Sequence, residues 1–111
     1  MSHEKYQQCI DACNECVSAC EHCASSCLAE PDVETMLRCV ELDRDCADIC
    51  SLAAQLMSRG SKFSAKICGL CAEICQACGT ECAKHEKMEH CRHCAEVCRK
   101  CSEECRKMAK K

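Results

Sequence analysis

The run Cys9-Ile10-Asp11-Ala12-Cys13-Asn14-Glu15-Cys16-Val17-Ser18-Ala19-Cys20-Glu21-His22-Cys23-Ala24-Ser25-Ser26-Cys27 places its cysteines at alternating steps of four and three residues. That alternation is the inward seam of a helix packed inside a bundle. Working outward, Cys68, Cys71, Cys75, Cys78 and Cys82 follow steps of 3, 4, 3 and 4, and Cys91, Cys94, Cys98, Cys101 and Cys105 repeat them. A thinner seam holds Cys39, Cys46 and Cys50 at steps of 7 and 4. All 19 cysteines of the 111-residue chain fall in these four seams.

The remaining positions agree with that register. Ile10, Val17 and Ala24 flank the first seam on one side, with Ala12, Ala19 and Ser26 on the other. Asp11, Asn14, Glu15, Ser18, Glu21, His22 and Ser25 form the solvated face. Small apolar flanks therefore seal the helices together while cysteine points at the axis. The register breaks at Glu30-Pro31-Asp32, because proline suits a first helical turn and not an interior. Gly60-Ser61 reads as a helix-ending glycine followed by a new N-cap. The step of nine from Cys82 to Cys91 fits no continuous heptad and requires a turn near His85 to Glu89.

Short turns make neighbouring helices antiparallel. The expectation is an all-α chain: one domain over residues 1–111, an antiparallel up-down-up-down four-helix bundle with a cysteine-lined core. Its helices are placed at approximately 4–29, 32–58, 62–86 and 89–108.

Composition narrows the function. Acidic and basic residues are mixed, net charge is -3, and Tyr6 and Phe63 are the only aromatics. This argues against nucleic-acid binding through a basic stripe or stacking platform. No stretch approaches the roughly 20 apolar residues of a membrane span. The N-terminal Met1-Ser2-His3-Glu4-Lys5-Tyr6-Gln7-Gln8 has no apolar signal region, so a cytosolic, reducing setting is expected. The cysteine count is odd, which excludes complete intrachain pairing.

A core built almost wholly of cysteine also lacks the large side chains that fill a native interior. Metal ions supply the missing occupancy and cohesion. Thiolates select Cu(I), zinc or iron–sulfur clusters, and the ferredoxin run of cysteines is absent. The six C-x-x-C pairs, such as Cys13/Cys16 and Cys75/Cys78, lie inside helical register and not in zinc-knuckle loops. About four zinc ions in all-cysteine sites, at about −2 each, would leave roughly −8 of buried charge. Cu(I) at about one per thiolate leaves the axis neutral.

At this point the chain resembles the cysteine-lined four-helix-bundle copper storage proteins of the cytosolic branch. The resemblance spans essentially the whole chain. It rests on the C-x3-C-x2-C-x3-C-x2-C-x3-C first segment and on Leu42-Asp43-Arg44-Asp45-Cys46-Ala47-Asp48-Ile49-Cys50. The stretch from Cys68 through Cys82 to His85 adds to it. The resemblance implies homotetramers of bundles, many Cu(I) ions per protomer, and histidines near an open end.

Antiparallel threading gathers Cys27, Met36, Cys39, His85, Met88 and Cys91 at one pole. Tyr6, Cys9, Met57, Phe63, Cys105 and Met108 gather at the other, which reads as closed by apolar plugs. Thioether and imidazole suit reversible Cu(I) capture, so the first pole is the loading end. His85, continuing the third seam, is its first candidate ligand; Met36, Met88 and the flank residue His90 follow. Met36, Met57 and Met88 also suit plain core filling, and Met57 is read that way. His22 and His93 face outward, and Met1-Ser2-His3 has the spacing of an N-terminal Cu(II) site only with Met1 retained.

Asp43 interrupts the second seam. It is either a core carboxylate paired with Arg38 or Arg44 or a weak hard ligand beside the copper chain, with metal proximity favoured. Leu37, Leu42, Ile49, Leu52 and Leu56 make the second helix a metal-poor wall available to an oligomer interface. No nucleophile–base pair, phosphate loop or substrate cleft is legible, so the expectation is a non-enzyme. The competing reading is general buffering of soft metals such as zinc, silver or cadmium.

Overall fold

The computed structural model describes residues 5–110. His3, and residue 4 at the expected start of the first helix, lie outside them. Four helices run α1 Gln7–Leu28, α2 Leu37–Ser58, α3 Ser64–Ala83 and α4 Glu89–Ala109, with a 3-10 turn at Val33–Met36 leading into α2. No strand occurs among the described residues. Each helix packs on its neighbours in sequence, and α1 closes the square against α4. The molecule measures 48 × 18 × 18 Å.

Antiparallel packing is visible in the sulfurs. Along the α1–α4 face, Cys9 meets Cys105 at 3.6 Å at one end and Cys27 meets Cys91 at 3.9 Å at the other. Along the α2–α3 face, Cys39 meets Cys82 at 3.4 Å and Cys50 meets Cys71 at 3.6 Å. The flanks close around this axis with small or branched residues, Ile10, Ala19, Ala24, Val40, Ala47, Ala54, Ala72 and Val97, all buried. Gly79 lets α3 and α4 approach closely, since a Cβ there would stand 3.2 Å from that of Cys98. Nearby, the buried Ser102 hydroxyl donates to the Ala72 carbonyl at 3.0 Å and ties the same two helices.

The turns explain where helices stop. After Ser58 the chain ends α2 with two nested bonds: the Gly60 N–H donates to Met57 O at 3.1 Å and the Ser61 N–H to Leu56 O at 3.0 Å. This Schellman arrangement needs a left-handed residue, and Gly60 supplies it at φ 65°. Ser61 does not cap α3. Its Oγ accepts the Phe63 N–H at 3.1 Å and its carbonyl accepts from Ser64, so it shapes a turn before the helix begins. At the other pole Pro31 lies in the turn, and Thr35 donates to the Asp32 carbonyl at 2.9 Å, delaying regular α2 until Leu37.

α3 stops at Ala83, before His85. The Lys84 and His85 N–H groups fold back onto Glu81 and Cys82 carbonyls at 3.1 and 3.0 Å, which removes His85 from the helical seam. Burial of polar atoms is fully compensated among the described residues: no buried side-chain nitrogen or oxygen lacks a partner.

Candidate metal centre

Every cysteine is a free thiol and every one is at most 1 % exposed. The heptad turns the cysteines of each helix to the axis, and the four helices interleave their sulfurs along it. Cys16 lies 3.6 Å from Cys46 and 3.8 Å from Cys98. Cys46 lies 3.4 Å from Cys75, and Cys50 is 3.5 Å from Cys75 and 3.8 Å from Cys101. These separations far exceed a disulfide bond of about 2.0 Å, yet they leave the donors close enough to share an ion.

The ladder resolves into overlapping quartets. Cys13, Cys71, Cys101 and Cys105 form one; Cys16, Cys46, Cys50 and Cys75 another; Cys16, Cys20, Cys46 and Cys98 a third; Cys20, Cys78, Cys94 and Cys98 a fourth. Adjacent quartets share corners at Cys16, Cys46, Cys20 and Cys98, so a thiolate can bridge two ions and neighbouring sites are not independent.

Asp43 sits inside this ladder, wholly buried. Its partners are thiols: Cys78, Cys94 and Cys82 donate to Oδ1 at 3.1, 3.4 and 3.5 Å, and Cys39 to Oδ2 at 3.8 Å. The expected alternative of an arginine partner is not realised. Arg38 pairs with Glu41 at 3.7 Å on the surface, and Arg44 is exposed, because both lie on the outward face of α2. Burial, reinforced by the sulfurs of Cys94 and Cys78, pushes the Asp43 carboxyl up to about 11. It is therefore a neutral acid among thiols, and Cu(I) at the surrounding thiolates would change its surroundings directly.

At the pole formed by the α1–α2 and α3–α4 turns, a mixed site closes the ladder. His90 Nδ1 lies 3.5 Å from Cys91 Sγ, 3.6 Å from Cys23 Sγ and 3.9 Å from Cys27 Sγ. Cys23, Cys27, Cys91 and His90 thus form a three-sulfur, one-nitrogen quartet with its histidine half-buried. Burial, aided by the Cys39 sulfur, raises the Cys91 thiol to about 11, and burial likewise raises Cys27. Soft-metal binding here must displace thiol protons.

The two histidines have different partners. His85 turns its Nε2 to Glu81 Oε2 at 3.1 Å, with side chains 17 % and 13 % exposed. His90, at the first turn of α4, reaches over the axis because α1 ends beside it at Leu28. Met36 is completely buried at the start of α2, and the half-buried Met88 packs on the core from the residue preceding α4. His22 and His93 are exposed.

Among the described residues, the opposite pole buries two methionines. Met57 is fully buried with its sulfur accepting from Cys68 at 3.5 Å, and Met108, three residues after Cys105 on α4, is also buried. Tyr6 is half-buried. Phe63, expected as a plug, is 54 % exposed with the Lys62 ammonium over its ring at 5.4 Å. Met57 already fills the axial space, and the Ser61 turn directs Phe63 outward.

Comparison with known proteins agrees with this geometry. The chain is similar to copper storage protein 3 of Bacillus subtilis in its apo form, with 50% identity and a TM-score of 0.88 over 93% of this chain and 97% of that one. The Cu(I)-bound BsCsp3 structure matches with the same identity and TM-score, 50% and 0.88, over 93% and 96% of the two chains. A cytosolic copper storage protein from Streptomyces lividans, carrying five coppers, has 40% identity and a TM-score of 0.93 over 99% and 96%. The copper storage protein (Csp) family model matches residues 2–110, and the chain belongs to that family.

Proposed function

We propose that this chain stores many Cu(I) ions in the cytosol, on the thiolates of its bundle axis. The observation that carries the reading is the set of 19 buried free thiols along one axis, grouped into quartets several of which share corners. Each arriving Cu(I) displaces thiol protons to solvent, and about one ion per thiolate leaves a neutral core that low dielectric does not penalise. Ions held among four helices are out of reach of other cellular thiols. The family resemblance and the copper-loaded relatives support the same conclusion.

Loading is assigned to the His90 pole. Its quartet joins an imidazole to the sulfurs and lies beside the α1–α2 turn, where solvent approaches. His90 receives the ion, Cys23, Cys27 and Cys91 take it over, and Asp43 with its four thiols lies further along the axis. Met36 and Met88 act as soft stepping points beside that path, and His85 acts from the rim through its bond to Glu81. The bundle is a store and not an enzyme. Four bundles assemble through the apolar surface that includes Leu37 and Leu52, which are 50 % and 41 % exposed on α2.

Zinc buffering is the second reading, favoured by one observation. Sulfurs separated by 3.4–3.9 Å match the edge of a tetrahedral thiolate site of about 2.3 Å radius, so single quartets accommodate zinc. Corner sharing along the ladder relieves only part of the negative charge, whereas Cu(I) removes it. Anaerobic Cu(I) titration of the reduced protein against a competing chelator decides between them. Saturation near one copper per cysteine is expected; saturation at a few ions, with zinc held equally well, would replace storage by general buffering.

A further inference from the structure

Glu30 lies in the α1–α2 turn, three residues after Cys27, and its Oε2 stands 3.1 Å from His90 Nε2. The contact joins two turns sixty residues apart in sequence. Both partners are shielded, with side chains 13 % exposed for His90 and 28 % for Glu30. The Glu30 backbone is itself held, its N–H donating to the Cys27 carbonyl at 3.2 Å. Pro31 follows and restricts Glu30 to extended backbone. One turn therefore presents the Cys27 thiol and the Glu30 carboxylate to the same imidazole.

A neutral imidazole carries one proton and one lone pair. A carboxylate is an acceptor only, so it bonds the ring through Nε2–H. The lone pair is then on Nδ1, the nitrogen that faces Cys23, Cys27 and Cys91. In the opposite tautomer Nδ1 carries the proton, points it at the sulfurs and offers Cu(I) nothing.

We propose that Glu30 is the positioning residue of the loading site: it holds His90 with Nδ1 free toward the three thiols and so prepares a three-sulfur, one-nitrogen site for Cu(I). Carboxylate support of this kind behind a metal-binding histidine typically changes metal affinity by about 10–100-fold. The inference rests on the assignment of loading to the His90 pole. Glu30 touches no sulfur and adds no storage capacity; it governs how tightly and how fast the first ions are taken.

The test compares Glu30→Ala, Glu30→Gln, His90→Ala and the Glu30→Ala/His90→Ala double variant of the full chain. Two readouts are used: long-range 1H–15N NMR of the histidine rings in the apo protein, and chelator competition for the first equivalent of Cu(I). His90 is expected as the Nε2–H tautomer in the native chain and as a mixture in Glu30→Ala. The first-copper affinity should fall about tenfold in Glu30→Ala, less in Glu30→Gln, whose carbonyl still accepts the Nε2–H. Total capacity should not change, and Glu30→Ala should cost nothing further once His90 is alanine. An unchanged ring spectrum in Glu30→Ala, or an equal loss in the His90→Ala background, overturns the role of Glu30 alone. If His90→Ala itself leaves first-copper affinity and uptake rate unchanged, the loading assignment falls and the inference falls with it.

Discussion

The two ends of the bundle are built from the same heptad and finish it differently. At the Met57 end Cys68 donates to the Met57 sulfur at 3.5 Å, and Cys9, Cys105 and Met108 are buried. At the end proposed for loading, Cys23, Cys27 and Cys91 meet an imidazole backed by the Glu30 carboxylate of the α1–α2 turn. A store needs capacity along its whole length but an exchange-competent donor at one end only. The difference between the poles separates how much copper the chain holds from how fast it fills.

The largest effect should come from disabling one pole at a time. A Cys23→Ser/Cys91→Ser/His90→Ala variant is expected to take up Cu(I) at least about tenfold more slowly, the scale of losing metal-site donors or their support. A Cys9→Ser/Cys68→Ser/Cys105→Ser variant should lose a comparable amount of capacity and keep its uptake rate. Stopped-flow uptake from a coloured Cu(I) chelator, followed by copper counting, reads both quantities. Equal slowing in the two variants would mean that ions reach the ladder from either end, and the comparison of poles would lose its kinetic meaning.

Between the poles, Asp43 makes the empty bundle sensitive to pH. Its carboxyl is raised from 3.8 to about 11, so the folded state holds a proton that the unfolded state releases. The stabilising contribution of that proton is full below about pH 4 and is lost progressively as pH rises towards 11. Asp43→Asn keeps a neutral, similarly shaped group and removes this dependence. Urea unfolding of the reduced apo protein at pH 5 and pH 8 should therefore show the native chain losing more stability than Asp43→Asn across that interval, by up to about 1.4 kcal/mol per pH unit. Parallel losses in both proteins would show that Asp43 is ionised in the fold.

The seams were fully legible in the sequence because heptad spacing is a local property of one helix: a cysteine every three or four residues has only one side to face. Asp43 was legible as a seam position for the same reason. Its thiol partners on α3 and α4 were not, since they depend on how far three helices are staggered. The different settings of His85 and His90 have a subtler cause. The end of α3 is decided by backbone bonds at Lys84 and His85, and no glycine or proline marks them. His90 looked peripheral as a flank residue, yet a flank at a helix start beside a terminating neighbour leans over the axis. One signal was available: His90 directly precedes the first cysteine of its seam, and Glu30 directly follows the last turn of another. Phe63 failed as a plug because aromatic character indicates burial only where space remains, and Met57 had filled it.

The smallest effect tests the comparison most finely, because it keeps chemistry at both poles nearly constant. Met36 and Met57 are each completely buried, one per pole, and leucine replaces methionine at almost equal volume. Both Met36→Leu and Met57→Leu should change apo stability by less than about 1.5 kcal/mol. What leucine removes is the thioether, a soft donor for Cu(I). At the closed pole that donor faces Cys68 at the end of the ladder, beyond the path of incoming ions. Met57→Leu should therefore load at the native rate. At the other pole the donor lies beside the path from His90 to Cys39, so Met36→Leu should slow early uptake about twofold, a small share of what thiolate and imidazole contribute. Matched uptake curves from the two variants would make Met36 a core filler like Met57, leaving the asymmetry of the poles to the imidazole and its carboxylate alone.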